Sequence, residues 1–293
     1  MSGIIWLASY PKSGNTWLRA FIHNLFRNPD QPVPLDQMTQ FTLGDAQFDW
    51  YARYTDKPAT DVSFEEMAAI RPKVHRDFTR TSPDSVFVKT HQFLGESGGA
   101  PLITMEATAG AVYIVRNPLD IVPSFADHFG VSIDDAITFM AWDGAYTAAK
   151  PNQIPEVLNS WSLNVKSWTQ RHPNIHVMRY EDMQAIPEKT FGKLTRFLGL
   201  NVPKARLRKA IRFSDFRTLK SLEDAHGFKE QSSHGGRFFR HGRSGQWMRE
   251  LSEGQAGRLA AAHCEQMERF GYMTPKLRKL ADQIRENPAV LGT

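Results

Sequence analysis

Apolar residues in this chain fall into two spacings. Short runs rich in β-branched residues, at positions 4–8, 86–91, 111–115 and 175–180, are long enough for buried strands and too short for helices. Between them apolar residues recur at helical spacing. Trp17, Leu18, Phe21, Ile22 and Leu25 predict a helix opening at Thr16. Ser63 followed by Glu66 forms a capping-box pattern and starts a helix to about residue 70. Asn117 as cap and Pro118 at the first helical position open another, running to about Phe129. Further helices are predicted over 132–141, 155–171, 187–198 (stopped by Gly199), 203–212 and 251–270, with a terminal one after Thr274. Strands and helices that alternate along the chain predict a parallel sheet covered on both faces. No linker divides residues 1–293, so the expectation is a single α/β domain.

Two stretches escape these spacings. Residues 35–61 are polar but carry Phe41, Phe48, Trp50, Tyr51 and Tyr54 with no period. They read as a long irregular segment whose rings either pack on the core or line a ligand site. Residues 223–246 mix glycines with Lys229, Arg237, Arg240, Arg243 and three histidines. This segment reads either as a solvated surface loop or as a mobile lid that brings cations over an anionic ligand.

Composition narrows the classes. The 293 residues, 41% hydrophobic and 23% charged, suit a soluble globular protein, and the net charge of +5 favours anionic ligands without demanding nucleic acid. Cys264 is the only cysteine, so a disulfide framework within the chain and a cysteine metal cluster are both excluded. No run approaches the roughly 18 apolar residues of a membrane span, and no signal peptide is present, so a cytoplasmic protein is expected.

The candidate chemistry gathers at strand ends. Ser9 to Asn15 is a loop of turn-forming residues around Lys12, between a strand and a helix. Such a loop offers backbone N–H groups and a positive helix end to a phosphate, although an ordinary turn with a solvated lysine has the same outline. The strand at 86–91 ends in Lys89, Thr90 and His91, and the strand at 111–115 runs into Arg116. Ligands of open α/β sheets bind at these carboxyl ends. No Gly-Lys-Ser or Gly-Lys-Thr occurs, and cations stand where a magnesium-holding carboxylate would be, which weakens an ATP-dependent kinase reading.

Tyr10-Pro11-Lys12-Ser13-Gly14-Asn15-Thr16-Trp17 resembles the 5′-phosphosulfate loop of cytosolic-type sulfotransferases, with Asn15 where threonine is usual. Arg116-Asn117-Pro118 with Ser124 resembles their 3′-phosphate motif, and Phe87-Val88-Lys89-Thr90-His91 the segment with the catalytic histidine. Tyr180-Glu181-Asp182-Met183, Ser214 to Leu219, and Phe239 to Trp247 are similar to the later nucleotide-contacting segments. The resemblance, to a bacterial-like member, implies a sulfotransferase fold related to P-loop kinases, with a parallel sheet of about five strands. It implies the donor 3′-phosphoadenosine-5′-phosphosulfate (PAPS), the product adenosine 3′,5′-bisphosphate (PAP), and no metal.

By the same resemblance His91 is the general base, Lys12 steadies the leaving phosphate, and Lys89 and Ser124 assist catalysis. Ser13, Gly14, Asn15, Thr16, Trp17, Arg116, Ser124, Tyr180, Ser214, Phe216, Leu219, Arg240, His241 and Gly242 hold the nucleotide. His241 stands where lysine is common, and Asp215 where serine is. The dimerisation pattern of animal members is missing after Trp247, so no oligomeric state follows. The partner expected is a small-molecule acceptor (a hydroxyl, phenol or amine), apolar or aromatic if Phe41, Phe48, Trp50, Tyr51, Phe93, Phe125 and Phe129 line its pocket. A related ATP-dependent small-molecule kinase and a non-catalytic polyanion-binding protein are the competing readings.

Overall fold

In a computed structural model, described for residues 3–286 apart from 232, 233, 235 and 241, five parallel strands form the centre. They are β1 (Ile4–Ser9), β2 (Thr42–Gly44), β3 (Val86–Thr90), β4 (Thr108–Val115) and β5 (Ile175–Arg179), in the spatial order β2-β3-β1-β4-β5. Alternate residues of a strand point to opposite faces, and here both faces are buried. Ile4, Trp6, Ala8, Val88, Tyr113 and Val115 enter one core layer. Leu7, Phe87, Val112, Ile114 and Met178 enter the other.

Helices cover each layer. Beneath the Leu7 face lie α1 (Asn15–Arg27) and two later helices at Pro187–Phe197 and Lys204–Phe213, which contribute Phe21, Phe191 and Ala210. The Trp6 face is covered by α2 (Phe64–Thr79), α3 (Pro118–Phe129) and α4 (Trp161–Trp168), together with the C-terminal helices Glu253–Ala262 and Pro275–Glu286. Register aligns the strand ends: Ala8 lies opposite Thr90, Ser9 opposite Ile114, and Val115 opposite Arg179. The residues just beyond, namely the Lys12 loop, His91, Arg116 and Tyr180, therefore emerge along one edge.

Several elements differ from the sequence expectation for identifiable reasons. The irregular 35–61 segment contains β2, a three-residue edge strand too short to show a period. The helix expected over 155–171 starts only at Trp161, because Ser160 caps it and Asn159 sits at φ 56°. Residues 146 and 157 instead bridge antiparallel, so Leu158 lies outside the helix and the apolar stripe becomes helical only from Trp161. The helix from Phe64 passes through Pro72 to Thr79. The 251–270 helix is broken at His263 into Glu253–Ala262 and Cys264–Arg269. An unexpected helix, α5 (Phe216–His226), opens the cationic segment; Asp215 caps it, its carboxylate accepting from Thr218 N–H at 2.7 Å.

A cationic cleft at the strand ends

The strand ends open into a cavity of about 740 Å³. Its floor is the Lys12 loop. Gly14 takes φ 103°, outside the reach of ordinary residues, and a Cβ there would lie 2.6 Å from the Tyr180 ring. Glycine is thus required twice over, by backbone angle and by the ring beneath. Lys12 is also left-handed (φ 63°), its ammonium 3.9 Å above the Phe238 ring. Burial, then the neighbouring Arg116, lowers Lys12 to about 8. Asn15 donates to Leu7 O at 2.8 Å and to Ser9 Oγ at 3.3 Å. Its side chain ties the helix start to β1.

His91 follows β3 directly. Its Nδ1 lies 2.7 Å from the Ser9 carbonyl, which can only accept, so Nδ1 carries the proton and Nε2 is the basic nitrogen. Burial, then Lys89, lowers the imidazole to about 3, so it is neutral at physiological pH. The seat is rigid: His91 N–H donates to Glu156 Oε1 at 2.9 Å, and Asn164 Nδ2 donates to His91 O at 3.2 Å. On β3, Lys89 alternates with the buried Val88 and Thr90 and so faces the cavity with His91.

Arg116, at the end of β4, donates to Lys12 O at 2.8 Å and lies 4.3 Å over the Tyr180 ring. Its Nε, Ser13 Oγ and Trp17 Nε1 are buried polar atoms with no hydrogen-bond partner among the described residues. Unpaired donors beside a cationic loop are what a bound oxyanion would satisfy. Trp17 sits edge-on to Tyr180 at 5.7 Å. Across from them, Phe216 packs under Gly242, where a Cβ would lie 2.0 Å from its ring, and Leu219 is buried in the same cluster.

The cationic segment covers this cleft and is pinned at several points. Glu223 accepts from Phe238 N–H (2.6 Å) and Phe239 N–H (2.9 Å). Asp120 accepts from Gly245 N–H (2.8 Å) and Trp247 N–H (3.2 Å), and Gln184 donates to Gly242 O at 2.5 Å. Arg240 reaches the cavity wall but pairs with Glu250 (3.4 Å) and Asp127 (3.6 Å).

Of the residues expected at the site, Lys12, Gly14, Asn15, Thr16, Trp17, Lys89, His91, Arg116, Ser124, Tyr180, Phe216, Leu219, Arg240 and Gly242 all border the one cavity. Ser13 is buried in the loop behind it. Ser214 is not on the wall: it ends a helix, its hydroxyl donating to Ala210 O at 2.9 Å. His241 lies outside the described residues. The acceptor aromatics need correction. Phe41 stacks on His23 and Phe87 while Tyr51 and Phe125 fill the core, and only Phe129 of that group borders the cavity. The sequence reading missed Glu230, whose carboxylate is 2.6 Å from Arg19; burial works against its charge, but Arg19 and Lys89 hold it down to about 2. Glu156 and His128 were missed as well. Glu156 lies far from any motif and reaches the wall only through the packing of its loop, whereas His128 follows Ser124 by four residues on α3.

Comparisons with known proteins agree with this architecture. The family model described as Sulfotransferase domain matches residues 3–271. The chain is 22% identical over 276 residues to sulfotransferase 1A1 of Canis lupus familiaris, covering 90% of this chain and 83% of that protein. Its fold is similar to mouse sulfotransferase SULT7A1 complexed with PAP (TM-score 0.61, 21% identity, 96% and 88% of the chains). It is also similar to retinol dehydratase in complex with androsterone and PAP (TM-score 0.62, 19% identity, 90% and 80%).

Proposed function

The chain belongs to the sulfotransferase family, and from that premise we propose that it moves a sulfuryl group from PAPS to a hydroxyl, phenol or amine of a small-molecule acceptor, with His91 as general base. The observation that carries this is the His91 seat. A neutral imidazole, its Nδ1 proton held by Ser9 O, faces a cavity shared with Lys12, Lys89 and Arg116.

The residues suit the nucleotide. The backbone N–H groups of residues 13–16 and the start of α1 serve the 5′-phosphate, as at other helix N-termini. Arg116 and Ser124 serve the 3′-phosphate, with Arg240 and the Gly242 backbone closing from the lid, and His241 within that lid. Trp17, Tyr180, Phe216 and Leu219 flank the base. When bound, PAPS supplies a sulfuryl group on a phosphate leaving group, to which an acceptor oxygen adds as the sulfur–phosphate oxygen bond breaks. His91 Nε2 takes the acceptor's proton. Lys12 offsets the charge that develops on the phosphate side, and Lys89 the charge on the sulfuryl oxygens; a preorganised donor of this kind contributes on the order of 3 kcal/mol. Residues 223–246 act as the lid that shuts water out.

His91→Ala tests the proposal. Sulfuryl transfer should fall by about 10²–10⁴-fold, the usual share of a positioned base, while PAP still raises the melting temperature as in the parent. Turnover retained by the variant would remove His91 from the role.

A further inference from the structure

We infer that the acceptor end of the cleft is built for a neutral, sugar-like polyol, carrying a second hydroxyl beside the one that takes the sulfuryl group. This rests on the sulfotransferase reading and on His91 marking the reacting end.

The wall beyond His91 comes from the chain around Thr147, Lys150, Gln153 and Glu156, and from His128 and Phe129 at the end of α3. Glu156 is the most firmly placed of these. Its Oε1 takes the His91 N–H at 2.9 Å, its own N–H donates to Thr147 Oγ1 at 2.9 Å, and Thr147 N–H donates to Glu156 O at 2.9 Å. These bonds leave the other carboxylate oxygen, Oε2, unengaged. Because Oε1 is bonded to the backbone of the base itself, an acceptor presenting a hydroxyl to His91 brings its neighbouring atoms within reach of Glu156.

Burial raises Glu156, against which Lys89 and the His91 N–H pull it down; as a carboxylate it accepts only, so it calls for a donor on the acceptor molecule. A flat phenol or steroid has none at that place and would bury Oε2 unpaired, a penalty large enough to set specificity. An ammonium would gain Glu156 but meet repulsion from Lys89, which acts on Glu156 and His91 alike, and from Lys150 on the same wall. An anionic acceptor would meet Glu156. A neutral hydroxyl satisfies both signs, accepting from the lysines and donating to the carboxylate. Phe129 supplies an apolar surface for the C–H face of such a ring, its own ring 4.9 Å from His128. One aromatic wall and a few converging polar groups suit a sugar-like ring better than an extended hydrocarbon.

The test is calorimetric titration of the PAP-saturated protein with methyl α-glucoside, cis-1,2-cyclohexanediol, cyclohexanol and phenol, alongside turnover of each with PAPS. Both polyols should bind about tenfold or more tightly than cyclohexanol and phenol, and be sulfated with the same preference. Glu156→Gln keeps an Oε1 for the His91 N–H but puts an amide donor in place of Oε2. In this variant the preference should shrink to about onefold, with stabilisation by PAP as in the parent. Equal or tighter binding of cyclohexanol or phenol, no detectable polyol binding, or a preference that survives Glu156→Gln would overturn the inference. If PAP itself fails to stabilise the chain, the sulfotransferase reading fails first.

Discussion

Lys12 carries its charge while buried and beside Arg116, both of which weaken it, whereas the Phe238 ring face 3.9 Å away favours the ammonium. Burial, then Arg116, lowers it to about 8 in the free protein. A bound polyanion favours the protonated lysine and raises its pKa, so affinity should be full below pH 8 and decline as the pH climbs past it. Titrating PAP binding from pH 6.5 to 9.5 reads this directly. Lys12→Arg, charged throughout the range, should flatten the profile; an unchanged slope would assign the titration to another group. Asn15 illustrates a different residue-level point. The family's usual threonine is replaced by an amide that ties α1 to Leu7 and Ser9, and Ser9 in turn holds His91. The substitution contributes to the base's seat and not only to the phosphate loop.

Among the elements, the junction between β1 and α1 is the most constrained. Gly14→Ala would force a side chain into φ 103° and against Tyr180. Chemical denaturation should show a loss on the order of 1–3 kcal/mol, with weaker PAP binding because the loop must shift. Full stability would mean that the loop relaxes without cost. This junction, and the strand ends at His91 and Arg116, were legible in the sequence because each couples a continuous β-branched run to a distinctive polar segment. β2 was not legible, since three residues show no period. The helix at 155–171 was overread because Leu158, Trp161, Val165 and Trp168 are all buried, and burial alone does not separate extended chain from helix. The aromatics of 35–61 were ambiguous in the same way: a ring that fills the core and a ring that lines a pocket look alike until packing is known. Glu156 and Glu230 reach the cleft by tertiary contacts that no local spacing records.

At the scale of the whole molecule, a sheet buried on both faces delivers Lys12, His91 and Arg116 to one edge, and a pinned cationic segment covers them. Among the described residues no helix is long and apolar enough to cross a membrane. The cleft combines cations with unpaired donors at Arg116 Nε and Ser13 Oγ, and the proposed function expects it to prefer a bisphosphate nucleotide to an ordinary diphosphate. The most direct measurement is therefore thermal unfolding with PAP against ADP, each with and without magnesium, in the parent and in Arg116→Ala. At about a hundred times its dissociation constant PAP should add about 2.7 kcal/mol, a rise of about 5 °C or more for a chain of this size. ADP should do less with or without the metal, and Arg116→Ala should erase most of the difference. Equal stabilisation by the two nucleotides, or a larger shift from magnesium-ADP, would contradict the account.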